Sequence, residues 1–322
     1  MSSVERRWIV KPEQAGRADR VVAQMTQRSR AEVRGMFDHA CVMLNEVRCL
    51  EPGQPIAAGD TLAVRFDPKT RYHEKPKPRT DGSFGVVFED EHLIVVEKAA
   101  KVLTVPTERS KDKTLVDAVS RHLSRRGRPV RALVVHRLDR GVSGLLVMAK
   151  ASVVAGRLQT EIRARRVERE YVAIVSGIVR PPEGTFDTIL TTDDSLNRKS
   201  RRRDDDDDES GGGEPGQRAI THYRTQHVSK DATVVRVNLE TGRRHQIRVH
   251  FADAGHPVLG DRRYRHDLSF HPWWVPGRLA LHAARLAFTH PMTHEKLRFE
   301  SPLPREFERF LQAKPPRRTR LK

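Results

Sequence analysis

Apolar residues in this chain fall into two spacings. Some recur every third or fourth position, as on one face of a helix; others alternate or form short runs, as in strands. Ala18, Val21, Val22 and Met25 have the helical spacing. Ser29-Arg30-Ala31-Glu32 has the form of a capping box, and Val33, Met36 and Phe37 continue an apolar stripe behind it. Cys41 to Asn45 reads as a strand, Gly59-Asp60 as a turn, and Leu62, Val64 and Phe66 as a second, half-buried strand. Residues 1–66 are therefore expected to form a small α+β module. Residues 67–82, with Pro68, Pro76 and Pro78 among Lys and Arg, read as a basic linker.

A second domain is expected over residues 83–312. Val86 to Phe88 and Leu93 to Val96 read as strands about a polar turn. Thr114, with Asp117 three residues on, caps a helix bearing Leu115, Ala118, Val119 and Leu123; Val154, Leu158 and Ile162 stripe another. Tyr171 to Val175 and Val235 to Leu239 read as strands. Ile247, His250, Phe251 and Ala254 recur at helical spacing up to Gly255, with Arg244 and Arg248 one turn apart off that stripe. Leu281 to Phe288 begins the last strands, and Glu306 to Leu311 a short closing helix. Two segments break the pattern. Residues 191–217 contain an Arg run, an acidic run from Asp204 to Glu209 and three glycines, and are expected to be a flexible insert; residues 313–322 are expected to be a basic tail.

One stretch, Leu133 to Lys150, holds an apolar run, a polar insert and a second apolar run. It predicts two buried strands joined by a tight loop that carries Asp139 between Arg137 and Arg140. A carboxylate beside guanidinium groups on a rigid support suits a reactive acid, and equally suits a structural ion pair.

Charge narrows the class. The formal net charge is +18, far more of one sign than solubility requires, which points to a polyanionic partner, nucleic acid first among them. Arg17, Arg20, Arg28, Arg30 and Arg34 lie off the apolar stripes of the first module, with Arg30 and Arg34 on one helical face. No apolar run approaches membrane-spanning length, and Met1 to Trp8 has no signal-peptide core. The two cysteines, Cys41 and Cys49, fit no zinc spacing. A soluble protein in the reducing cytoplasm is expected. The histidines show no metal-ligand spacing, and no phosphate-binding glycine loop or nucleophile elbow is present, so neither metal nor cofactor is expected. The remaining candidates are Asp139, the Tyr171 hydroxyl and the arginine-rich stretch Gly242-Arg243-Arg244-His245-Gln246-Ile247-Arg248.

Two resemblances give these candidates roles. The first module, with Val42-Met43-Leu44-Asn45 and Gly59-Asp60, resembles the S4 RNA-binding domain, with Leu44-Asn45-Glu46 standing where Val-Asn-Gly is usual. The resemblance implies RNA contacts by Arg17, Arg30 and Arg34. His136-Arg137-Leu138-Asp139-Arg140 with Ser143-Gly144-Leu145-Leu146 resembles the central motif of the RluA-type pseudouridine synthases. Thr241 to His250 followed by Gly255-His256-Pro257 and Gly260-Asp261 resembles that family's second long motif. Phe88-Glu89-Asp90, Lys98, Arg169 to Gly177, Leu281-His282-Ala283 and His290-Pro291 match further landmarks in order. Lys98-Ala99-Ala100-Lys101, Gly141-Val142 and Arg244 depart from the usual residues.

This second resemblance implies an α+β pseudouridine synthase fold, with a central mixed, largely antiparallel sheet flanked by helices. It implies isomerisation of uridine to pseudouridine in RNA: the N1–C1′ bond breaks, the base turns, and C5 joins C1′. Atoms and electrons balance without a cofactor, and a single carboxylate suffices, as nucleophile at C1′ or as base at C2′. By resemblance Asp139 is catalytic, Arg248 pairs with it, keeps it ionised and aligns it, and Tyr171 stacks on the base and helps deprotonate C5. Arg137 fills the gap left by the flipped uridine. Arg140, Arg243, His245 and Gln246 contact RNA. A monomer acting on large-subunit ribosomal RNA is expected; transfer RNA is the alternative substrate, and a non-catalytic RNA-binding assembly factor the alternative class.

Overall fold

The computed structural model describes residues 4–39, 41–49, 51–68, 70, 72, 82–107, 113–124, 129–192, 198–201, 216–228 and 231–312. Most of the 67–82 linker, the acidic run at 204–209 and the 313–322 tail lie outside these residues.

The N-terminal unit contains β1 (Val4–Ile9), β2 (Gly16–Arg17), α1 (Ala18–Thr26), α2 (Arg30–Asp38), β3 (Val42–Leu44), β4 (Val47–Arg48), β5 (Pro55–Ile56) and β6 (Thr61–Phe66). Its sheet has the order β1-β6-β3-β4, and β2 pairs with β5. The two helices bury Val21, Val22, Met25, Val33, Met36 and Phe37 against Leu62 and Val64. The Ser29–Glu32 capping box forms as expected. Asn45 and Glu46 turn the chain at φ 49° and 65°, a left-handed pair of the kind that two-residue hairpin loops need. Asn45 is fixed by donating to Asp60 Oδ1 and accepting from Thr61 N–H, both at 2.8 Å. The spacing of apolar residues did not anticipate β1, β2 or β5. Tyr72, placed in the linker by its surroundings, instead packs on this core, and its hydroxyl accepts from Asp67 N–H. Arg48 joins this unit to the larger one through an ion pair with Glu295, its guanidinium 5.6 Å from the Phe88 ring centre.

The larger unit contains β7 (Phe84–Glu89), β8 (Leu93–Lys98), α3 (Leu115–Ser124), β9 (Leu133–Val134), β10 (Ser143–Ala149), α4 (Ser152–Arg163), β11 (Glu168–Ser176), β12 (Glu183–Thr192), β13 (Arg198–Arg201), β14 (Gln217–Val228), β15 (Ala232–Leu239), α5 (Gln246–Asp253), β16 (Leu281–Thr289), β17 (Lys296–Glu300) and α6 (Arg305–Gln312). Nine strands run in the order β13-β12-β14-β15-β11-β16-β10-β8-β7, with β17 added to β16 and β9 to β10. Among the described residues β10 with β16 is the one parallel pair, so the sheet is mixed and largely antiparallel, flanked by helices. Strands β12 and β14 were not anticipated. Of the 191–217 segment expected as a flexible insert, 191–192, 198–201 and 217 are strand, and Ser200 accepts no such freedom: its N–H and hydroxyl both donate to Asp253.

The continuous apolar runs of β8 and β10 follow from burial on both faces. Leu146 and Met148 of β10 pack with α3, α5 and α6, while Leu145, Val147 and Ala149 pack with α4 on the other side. Phe251 of α5 and Phe307 of α6 lie in the first of these layers. No helix among the described residues is long and apolar enough to cross a membrane.

At the start of β10 the sheet splits. Ser143 and Gly144 pair with His282 and Ala283 of β16, and β17 takes the neighbouring place from Arg285 onward. Gly144 has φ +110°, and a Cβ there would lie 2.2 Å from the Ala283 carbonyl oxygen. The close approach and the backbone conformation both require glycine. Gly156, on the exposed face of α4, meets nothing within 4 Å. Urea unfolding should therefore show Gly144→Ala destabilised by about 2–4 kcal/mol. Gly156→Ala should be stabilised by up to about 1 kcal/mol through helix propensity. Equal effects at the two positions would contradict this account of the split.

Candidate active site

The loop between β9 and β10 is clamped from three directions. Thr104 hydroxyl donates to Leu138 C=O at 2.6 Å and accepts from Leu138 N–H. The Lys98 ammonium, fully buried, donates to the carbonyls of Ala99, Val102 and Arg140. Arg278 donates to Gly141 C=O and to Ser143 Oγ, and that hydroxyl meets His282 Nδ1 at 2.9 Å. These contacts leave the Asp139 side chain partly exposed and aimed into a cleft of about 560 Å³.

The sequence placed Asp139 between Arg137 and Arg140. Both arginines lie at the surface of the site, and Arg140 Nε donates to Lys101 C=O. A guanidinium reaches Asp139 from α5: Arg248 Nη1 lies 3.3 Å from Asp139 Oδ2. Its main partner is a second carboxylate. Arg248 Nε and Nη2 make a bidentate pair with Asp261 at 2.6 and 2.8 Å, and the Asp261 side chain is completely enclosed. Such a fork fixes the guanidinium plane as well as its position. Burial works against the charge on Arg248, but hydrogen bonding to Asp261 and the charges of Asp261 and Asp139 outweigh it and raise its pKa. The Tyr264 ring lies 5.0 Å from the guanidinium carbon, and its hydroxyl hydrogen-bonds His245 Nδ1 at 2.7 Å.

His245 Nε2 approaches Asp139 Oδ2 to 3.8 Å. Burial pushes this imidazole down to about 4, so at neutral pH the contact is between a neutral ring and the acid. Backbone geometry here differs from the expected helix start. His245 has φ 60° and α5 begins only at Gln246, so Arg244 precedes the helix and does not share a face with Arg248. Gln246 accounts for the bend. Its carbonyl accepts from Thr241 hydroxyl and Arg243 N–H, and its amide donates to Ile220 C=O and Thr221 Oγ1. With all of these made and the side chain buried, Gln246 holds the loop to β14.

Tyr171, on β11, is buried beneath the same cleft, and its ring belongs to the main core layer. Burial raises its hydroxyl pKa; Arg169 opposes this and the charge of Asp139 adds to it. Arg137, Arg243 and Arg244 stand exposed along the rim. In the N-terminal unit, Arg17, Arg30 and Arg34 do converge, lining with Arg20 a groove between α1 and α2; Arg17 makes a bidentate pair with Asp19. No group of three metal-ligating side chains comes together among the described residues. Asp261 and Tyr264, with Lys98, Thr104 and Arg278, were not recognised from sequence as parts of the site. Asp261 falls within the second long motif, as Gly260-Asp261, but was given no role at the site.

Comparison with known proteins agrees with this geometry. The family model for RNA pseudouridylate synthase matches residues 92–253. The ribosomal large subunit pseudouridine synthase D of Zymomonas mobilis is 34% identical over 91% of this chain and 92% of that protein. The protein of the same name in Haemophilus influenzae is 31% identical over 94% of this chain and 93% of its own length. The structure of human RNA pseudouridylate synthase domain containing 4 superposes with a TM-score of 0.54 at 23% identity, covering 70% of this chain and 91% of that one. The matched family is one of RNA-modifying isomerases. The chain belongs to the RNA pseudouridylate synthase family.

The buried Lys98 offers a test of the loop clamp. Burial pushes its ammonium down to about 7 from 10.5, against the charge of Asp139. The unfolded chain then binds more protons than the folded one between these values, so stability should rise with pH across the window of about 7 to 10.5. Urea titrations at several pH values should show this rise in the wild type and its loss in Lys98→Met. Parallel pH profiles would contradict the burial of a strained ammonium beside Asp139.

Proposed function

We propose that this pseudouridine synthase acts on large-subunit ribosomal RNA and that Asp139 is its reacting carboxylate. One observation carries the assignment: among the described carboxylates around the cleft, Asp139 alone is both reachable and unsaturated by partners. Glu240 also lines the cleft, but Arg165 and His222 engage it. Asp261 is wholly enclosed by Arg248 and by the N–H groups of Arg263 and Tyr264. Three carboxylates are near the site, therefore, where the sequence suggested one, and a single one faces substrate.

That arithmetic suits the reaction. Glycosidic hydrolysis commonly uses two open carboxylates, one for each partner of the broken bond. Moving C1′ from N1 to C5 of one uridine loses only the C5 proton while N1 gains one, so no leaving group needs activating, and one carboxylate at C1′ or C2′ is enough. Arg248 orients Asp139, held in turn by Asp261. Tyr171 sits under the base, with a hydroxyl kept protonated by burial. Arg137, exposed on the loop beside Asp139, occupies the space vacated by the flipped uridine; flipping costs a few kcal/mol, which the cationic rim offsets. His245 stays neutral and packs the acid from the other side.

The substrate assignment rests on the two relatives named for the large ribosomal subunit and on the groove lined by Arg20, Arg30 and Arg34, which supports RNA contact by the S4-like unit of residues 1–66. Tritium release from C5-labelled uridine in large-subunit ribosomal RNA tests both parts. Asp139→Asn should abolish release while leaving RNA affinity within about tenfold, because phosphate contacts dominate affinity. Retained release would remove Asp139 from the chemistry. Arg30→Glu with Arg34→Glu should weaken binding and flatten its salt dependence; unchanged binding would exclude the N-terminal groove as an RNA contact.

A further inference from the structure

Asp139 lines two cavities. One is the cleft above Tyr171, floored by Val135, Leu138, Ile247 and Leu281. The other, of about 620 Å³, has Leu103 as its one aliphatic side chain and is walled by Arg137, Arg140, Arg244, Arg248, Arg262 and Arg263, with Asp139 as its one acid. A carboxylate that works at C1′ or C2′ must face the bond between base and sugar. The base then lies to one side of it and the ribose-phosphate backbone to the other. Arginines rim both cavities, but only the first has Tyr171 and an aliphatic floor, which matches an aromatic base; the second, with six arginines and one apolar side chain, matches phosphate.

We propose that the second cavity is the subsite for the backbone flanking the target uridine, with Arg262 and Arg263 as phosphate-positioning residues. This rests on the reading of Asp139 as the reacting group. Both arginines are exposed and directly follow Asp261, the residue that carries Arg248. The segment that presents them is closed on itself: Ser269 hydroxyl donates to Asp261 C=O at 2.7 Å and Gly260 N–H to Ser269 C=O at 2.8 Å. Arg262 is further confined beside Gly277, where a Cβ would come within 3.3 Å of its Nη2. Phosphates held there are tied through Asp261 and Arg248 to the acid that acts at the sugar, so gripping the backbone registers the ribose against Asp139. Arg265 lies on the same segment but pairs with Asp267 and does not line the cavity, which makes it an internal control.

The test is steady-state tritium release from a large-subunit ribosomal RNA transcript labelled at uracil C5, over a range of salt. The Arg262→Gln, Arg263→Gln double variant should raise KM about tenfold, with a smaller fall in kcat, and should flatten the logarithmic salt dependence by about 0.7 per arginine. Arg265→Gln should leave KM and slope at wild-type values. A double variant with wild-type KM and slope, or one that shifts no more than Arg265→Gln, overturns the subsite. Release retained by Asp139→Asn would instead overturn the underlying reading of the site, and this inference with it.

Discussion

Everything at this site depends on how one buried guanidinium is shared. Arg248 is nearly enclosed, and an enclosed cation is costly unless its charge and all its donors are matched. Asp261 supplies a bidentate match from one side; Asp139 takes the remaining Nη from the other at a longer 3.3 Å. The asymmetry has a chemical use. Asp261, sealed and saturated, fixes the arginine, while Asp139 is oriented without being consumed by the pairing and keeps a face open to substrate. Three separate segments meet in this array: the loop before β10, helix α5, and the turn after α5. The array therefore also explains why the surrounding backbone is held by so many buried polar contacts, from Thr104 and Lys98 on one side to Arg278 and Gln246 on the others.

Much of the fold was legible because its signals are local. The apolar runs at β8 and β10, the capping boxes at Ser29 and Thr114, and the helical stripes of α1, α2, α3 and α4 each report on a few adjacent residues. Strands β12 and β14 were missed because their partners, not their own sequences, make them strands: Gln217 to Val228 mixes Thr, His, Arg and Gln, with only Ala219, Ile220, Thr221 and Tyr223 buried. The start of α5 was misplaced for a similar reason. The helical spacing of Ile247 and Phe251 extends backward through Arg244, but Gln246 draws the preceding loop onto β14 and forces His245 into a left-handed conformation.

At the site itself, the motif resemblance gave Asp139, Tyr171 and Arg248 and the pairing of Arg248 with Asp139, but not the carboxylate that holds Arg248. Local sequence alone offered Arg137 and Arg140 beside the acid; Arg248, 109 residues away, came only through the motif resemblance, because no local spacing reports a contact that long-range folding makes. Asp261 was quoted within the motif but given no role, because nothing in its spacing tells that the carboxylate points inward to Arg248. Gln246 is a polar residue within the motif whose side chain makes four hydrogen bonds that tie its loop to β14.

The central claim is that Arg248 and Asp261 act as a single positioning unit for Asp139. A double-mutant cycle on the single-turnover rate at saturating RNA, with Arg248→Gln, Asp261→Asn and the two combined, tests it most directly. The account predicts that each single variant slows the chemical step, and that the double variant is no slower than the worse of the two. Losses that multiply, or an Asp261→Asn variant with the wild-type rate, would contradict it.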